Sequence, residues 1–152
     1  MQEKLIYNFF DDDEFLRISN KINEVEKKTA GELRVSIKEK KSFLQRNKPL
    51  RKLAEEEFFK LGMNKTKDET GILIFLSLAE RHFYILAGKG INEKVKQETW
   101  DSIKDSMQKM FFKGEFCKGL IFGLDEIGKI LSDHFPIKHD DKDELSNRIV
   151  IN

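Results

Sequence analysis

Cysteine, proline and tryptophan are scarce in this chain, and each scarcity closes off a class of protein. The lone cysteine, Cys117, among 152 residues excludes an intramolecular disulfide framework and a cysteine-rich zinc site, and a single unpaired thiol fits a reducing compartment. Two prolines, Pro49 and Pro136, leave no proline-rich linker. Neither sign of charge prevails: 28 basic and 27 acidic side chains give a formal net charge of +1. No overall field therefore draws the chain to nucleic acid or to an anionic bilayer. Long apolar runs are missing as well. The longest, around residues 72–75, is far below the roughly 20 residues of a membrane helix. At the N-terminus, Asp11-Asp12-Asp13 arrives before any apolar stretch that could serve as a signal peptide. The expectation is a soluble, cytoplasmic protein with no membrane span and no nucleic-acid partner.

What is abundant is charge and phenylalanine. Charged residues make up 36% of the chain and hydrophobic residues 39%, with 13 Phe against one Trp and two Tyr. That balance describes a globular domain with a heavily charged surface, and its core should be packed largely by aromatic rings. The length suits one domain, placed at residues 1–137. The acidic stretch Asp140-Asp141-Lys142-Asp143-Glu144 and the short apolar end at 149–151 read as a tail, residues 138–152.

Periodicity supplies the elements. Phe15, Ile18, Ile22 and Val25 recur at spacings of three and four, behind acidic residues that suit a helix start. Leu33, Val35 and Ile37 then alternate with Arg34, Ser36 and Lys38, the pattern of a strand. Pro49 opens a second helix carrying Leu50, Leu53, Ala54, Phe58 and Leu61, which stops at Gly62. Residues 71–76 are apolar without interruption, as in a central strand covered on both faces. Four residues, 78–81, separate them from residues 83–87, so the two form an antiparallel hairpin. After Gly88-Lys89-Gly90, a helical pattern fills residues 91–112, and a last helix runs to His134 before Pro136. The first two strands are joined by a helical crossover and should be parallel. An α/β fold follows, a three-layer α/β/α sandwich around a central mixed sheet of three to four strands.

Several segments together resemble the TPM domain family, in its small soluble bacterial branch. Residues 61–74 carry a helix end, a polar acidic loop and a glycine leading into the buried strand. Thr29-Ala30-Gly31-Glu32-Leu33-Arg34-Val35 is similar to the family's first strand. Gly88-Lys89-Gly90-Ile91 with Val95 and Trp100 is similar to its glycine turn, and Phe112-Lys113-Gly114-Glu115-Phe116, Gly119-Leu120 and His134-Phe135-Pro136 to its closing helices. The resemblance spans residues 10 to 137 and implies an α/β/α sandwich. Members include thylakoid proteins described as acid phosphatases, bacterial proteins that bind calcium or magnesium, and an animal accessory subunit of acetylcholine receptors. Fold therefore implies no single activity. In the soluble branch an Asp commonly precedes the Lys-Gly of the turn, and Gly88 stands there in this chain.

The topology gathers these motifs at one edge of the sheet. Two parallel strands begin, and the antiparallel third ends, at the same edge, so Glu32, the loop 66–70 and the Gly88-Lys89-Gly90 turn become neighbours. Asp68 and Glu69 offer hard oxygen ligands to calcium or magnesium, with Glu32 or Glu93 completing a shell. Gly88, Lys89 and Gly90 present backbone N–H groups and one positive charge, which suit an anion. A cation beside an anion cradle would support phosphomonoester hydrolysis. The plainer alternative makes Asp68 and Glu69 solvated turn residues and the glycines providers of positive φ. No Gly-x-Ser-x-Gly elbow or phosphate loop occurs, and Cys117 lacks the downstream arginine of a cysteine phosphatase. A non-catalytic module with a protein partner thus stays open beside the enzyme reading. The basic run Lys38-Glu39-Lys40-Lys41 with Arg46 and Lys48 reads as a solvated loop, and its Phe43-Leu44 pair as an exposed contact point.

Overall fold

In the computed structural model, which describes residues 4–137 and 149–152, the alternation of β1 (Glu32–Lys38) decides how the layers assemble. Leu33, Val35 and Ile37 join Ile72, Ile74 and Leu76 of β2 (Gly71–Ser77) in the larger core. α1 (Asp12–Glu26), α4 (Gln97–Phe112) and α5 (Phe116–His134) cover that face. Leu73 and Phe75 point the other way, to Leu53, Ala54 and Phe58 of α2 (Leu50–Lys60) and to Met63. β3 (His82–Ala87) completes the hairpin with β2, and the short α3 (Lys89–Asn92) follows it. The strand order is β3-β2-β1-β4, with β1 parallel to β2 and β2 antiparallel to β3. This is the α/β/α sandwich with a mixed sheet that the periodicity implies.

The helix starts follow elementary capping. Asp11 accepts the Glu14 N–H at 2.8 Å while Glu14 accepts the Asp11 N–H at 3.1 Å, a reciprocal box that ends two of the orphan donors of α1. The Asp11-Asp12-Asp13 run is therefore structural. α2 ends before Gly62, whose φ of 75° only glycine takes without strain. The pattern over residues 91–112 is divided in the fold: α3 stops at Asn92 and α4 begins at Gln97. Ile91 of α3, Val95 within the break and Trp100 of α4 are all buried, so apolar spacing continues through it and conceals it.

The far end of the chain contributes to the sheet. Val150 and Ile151 form β4, pairing parallel with Ser36 and Ile37. The acidic stretch 140–144 lies outside the described residues. Next to β4 is a buried polar knot on the α2 side of the sheet: the Ser36 hydroxyl donates to the Glu57 carboxylate at 2.5 Å, and the Asn152 amide donates to Ser36 at 3.0 Å and also to Glu57. A buried carboxylate requires such donors. Among the described residues no helix is long and apolar enough to cross a membrane.

Thr29 fixes where β1 begins. Its buried hydroxyl sits 3.0 Å from the Leu131 carbonyl and 2.5 Å from the Phe135 carbonyl, and accepts the Gly31 N–H at 3.0 Å. Thr29→Val keeps the shape and strands the Gly31 donor, so it should lower the unfolding free energy by about 1–3 kcal/mol in urea denaturation. A change below about 0.5 kcal/mol, the size of an ordinary surface substitution, would contradict this role.

Candidate functional site

The loop between α2 and β2 is held by its own short side chains. Thr66 Oγ1 accepts the Thr70 N–H at 3.1 Å, and Thr70 Oγ1 donates to the Lys67 carbonyl at 3.2 Å. Between them, Asp68 and Glu69 have φ of 62° and 52°, two consecutive left-handed residues that are not glycine. Such conformations cost roughly 1–2 kcal/mol each, less for aspartate than for glutamate, and persist only where surrounding contacts impose them.

Those contacts come from the turn after β3. A Cβ on Gly88 would collide with the Glu69 carbonyl, and one on Gly90 with the Asp68 carbonyl. Gly88 has an ordinary φ of −66°, and Gly90 has no positive φ either. Both positions therefore need glycine for close approach of two backbones, not for positive φ. The Gly88 N–H is taken by the Gly71 carbonyl at 2.7 Å, so one donor of the anion cradle expected from the sequence is already engaged.

Where the loop meets the turn, a cavity of about 430 Å³ opens. Glu69, Gly88, Lys89 and Glu93 line it, together with Asn64, Asn92, Phe58 and Phe59. Four of the expected site residues thus share one cavity. Asp68 and Glu32 are not in its lining: Asp68 is exposed, and Glu32 is buried at the start of β1. Gly90 backs the loop from behind. Asn64 and Asn92 carry no such signal in the sequence, since an asparagine near a helix end reads only as a turn former. Their states differ. The Asn92 amide donates to the Ala87 carbonyl at 3.1 Å, whereas Asn64 Oδ1 is buried with no hydrogen-bond partner. Among the described residues no group of three or more His, Cys, Asp or Glu side chains is arranged to hold a metal ion. Cys117 lies buried in the larger core, outside the cavity lining, and burial pushes its thiol pKa up.

A mixed sheet with three long helices on one face and one on the other, and with an acidic loop packed on a glycine turn at the edge, makes an α/β/α sandwich domain with a cavity at that edge. The TPM domain pattern matches residues 7–130, and the chain belongs to that family. It is similar to the BA42 protein of the psychrophilic bacterium Bizionia argentinensis, solved by NMR, at 33% identity and a TM-score of 0.84 over 95% of this chain and 96% of that one. Two further NMR structures share the fold. The N-terminal domain of a P. gingivalis protein gives 18% identity and a TM-score of 0.68, over 86% of this chain and 83% of that one. The N-terminal domain of the cg2496 protein of Corynebacterium glutamicum gives 12% and 0.61, over 88% of this chain and 83% of that one. No curated protein matches the chain.

The backbone contact makes a sharp forecast. Gly90→Ala should cost about 1–3 kcal/mol of stability, the range of an overpacked site, and should shift the amide resonances of Asp68 and Glu69. A folded variant of unchanged stability, with those resonances in place, would show that the loop does not rest on the turn.

Proposed function

We propose that this cavity binds a divalent cation, calcium or magnesium, through the carboxylates of Glu69 and Glu93 and the amide oxygen of Asn64. The observation that carries this reading is Asn64 Oδ1, an acceptor buried without a partner on a residue that lines the cavity together with Glu69 and Glu93. Leaving such an atom unsatisfied costs about 1–3 kcal/mol, which coordination to a hard cation offsets. Two carboxylates and a neutral oxygen make a low charge count, so the affinity belongs near the weak end for calcium sites, on the order of 10⁻⁴–10⁻³ M. Asp68 and Glu32, outside the lining, would add negative potential rather than ligands.

Lys89 at the same cavity would receive an anionic group next to the cation. A cation here would polarise a phosphomonoester and activate water, the chemistry of an acid phosphatase-like activity. Among the described lining residues none is a serine, threonine, cysteine or histidine, which favours binding over covalent catalysis. The non-catalytic alternative, a module that recognises a protein partner, draws on the same point.

Titration with calcium and magnesium, followed by amide NMR, tests the reading. The Asn64 side-chain amide and the backbone signals of Glu69, Gly88 and Glu93 should move together, and Glu69→Gln with Glu93→Gln should weaken binding by at least about tenfold. Unmoved signals at millimolar metal would remove the cation. Hydrolysis of p-nitrophenyl phosphate that needs magnesium and stops with chelator would add the activity. Metal binding without turnover would leave the non-catalytic reading.

A further inference from the structure

The even charge balance of the whole chain conceals a local imbalance. Seven basic residues and one acidic residue, Glu39, lie between Lys38 and Lys52. Glu39 is already engaged, its carboxylate accepting the Ile6 N–H at 3.0 Å. Lys48 pairs with Glu56 and Arg51 with Glu55, but among the described residues no ion pair engages Lys40, Lys41, Arg46 or Lys52. In the middle of this segment Phe43 is 74% and Leu44 92% exposed. They sit on a single 3-10 turn, Phe43–Gln45, closed by a reciprocal box in which Ser42 and Gln45 cap one another. The Arg46 guanidinium lies 4.5 Å from the centre of the Phe43 ring. Two large apolar side chains are thus exposed on one turn, with Arg46 over Phe43 and Lys40 and Lys41 just before it in the chain.

We propose that this turn docks the domain on an anionic lipid surface, with Phe43 and Leu44 entering the interface and Lys40, Lys41 and Arg46 resting among the phosphates. Charge complementarity selects the partner. Basic side chains next to apolar ones are the composition that holds a surface element at the level of anionic headgroups. A protein partner fits less well, because a stable interface takes roughly 800 Å² from each side, and two side chains on one protruding turn offer far less. Such an interface also has an apolar core depleted of charge, whereas here cations flank the apolar pair directly. The turn follows the C-terminal end of β1, while the cavity lies at the N-terminal ends of β1 and β2. At about 3.3 Å per residue the seven residues of β1 separate the two by roughly 20 Å. A domain docked by the turn would hold its cavity away from the bilayer.

Sedimentation with vesicles tests this in the full chain. The protein should pellet with vesicles containing phosphatidylglycerol at about 50 mM salt, lose that binding near 500 mM, and stay in solution with pure phosphatidylcholine. Phe43→Ser with Leu44→Ser, both on exposed positions that the core does not use, should weaken binding about tenfold or more. Lys40→Glu with Lys41→Glu should abolish it. Leu44→Trp supplies an independent readout over the constant background of the buried Trp100: relative to the parent with the same vesicles, the added emission should shift to the blue on anionic vesicles. The proposal is overturned if anionic vesicles bind nothing at low salt, or if the serine variant binds as well as the parent. It is equally overturned if a short DNA duplex binds as tightly as the vesicles and the tryptophan emission stays where it was, the result for a general polyanion surface.

Discussion

The close approach of two backbones, residues 68–69 against Gly88 and Gly90, sets the geometry on which the rest of the candidate site depends. Sheet register delivers the partners: Glu32 lies opposite Gly71, and Ile72 opposite Ala87, so the start of β2 and the end of β3 share an edge. Glycine at 88 and 90 then lets the carbonyls of Glu69 and Asp68 come where any side chain would block them. The two left-handed residues of the loop are the consequence. Their strain is met by this contact and by the Thr66 and Thr70 hydrogen bonds. With the loop pressed onto the turn, Glu69 and Glu93 come to line the same cavity.

The two faces of the sheet are stabilised by different physics. On the side of α1, α4 and α5 the contact is almost wholly apolar, with Ile18, Ile22, Leu120, Leu124, Ile127 and Leu131 fully buried. The α2 side carries a smaller apolar cluster next to polar groups. Ser36, Glu57 and Arg34 are buried there, and Ser36 and Glu57 are satisfied by one another and by Asn152. Buried charge of this kind adds little net stability but is costly to break. It fixes the register of the edge strand β4 by demanding one side chain, the Asn152 amide, at one place.

The layers were legible in the sequence because two periods carry them. Alternation in residues 33–38 and spacings of three and four in residues 15–25 and 120–131 gave the strands, the helices and the buried faces. The division between α3 and α4 was hidden, since the buried Ile91 and Val95 keep helical spacing although Val95 already lies in the connection, residues 93–96. β4 was hidden as well, because two residues are too few to show a period. At the site, the meeting of loop and turn followed from topology, which placed Glu69, Gly88, Lys89 and Glu93 together. Asp68 and Glu32 were expected in the same shell, yet neither lines the cavity, Asp68 being exposed and Glu32 buried at the start of β1, and neither degree of exposure is written in residue type. The reason for the glycines was likewise tertiary, a collision with a carbonyl some twenty residues away.

The proposed cation site lies at this edge, in preference to the other acidic groups of the described residues. Substoichiometric manganese, a paramagnetic stand-in for magnesium, tests it directly in amide NMR spectra. Signals of Asn64, Glu69, Gly88 and Glu93 should broaden first, while those of Ala79 at the opposite end of the sheet stay sharp. Broadening centred on Asp11, Asp12 and Asp13, or spread evenly over the acidic surface, would contradict the account.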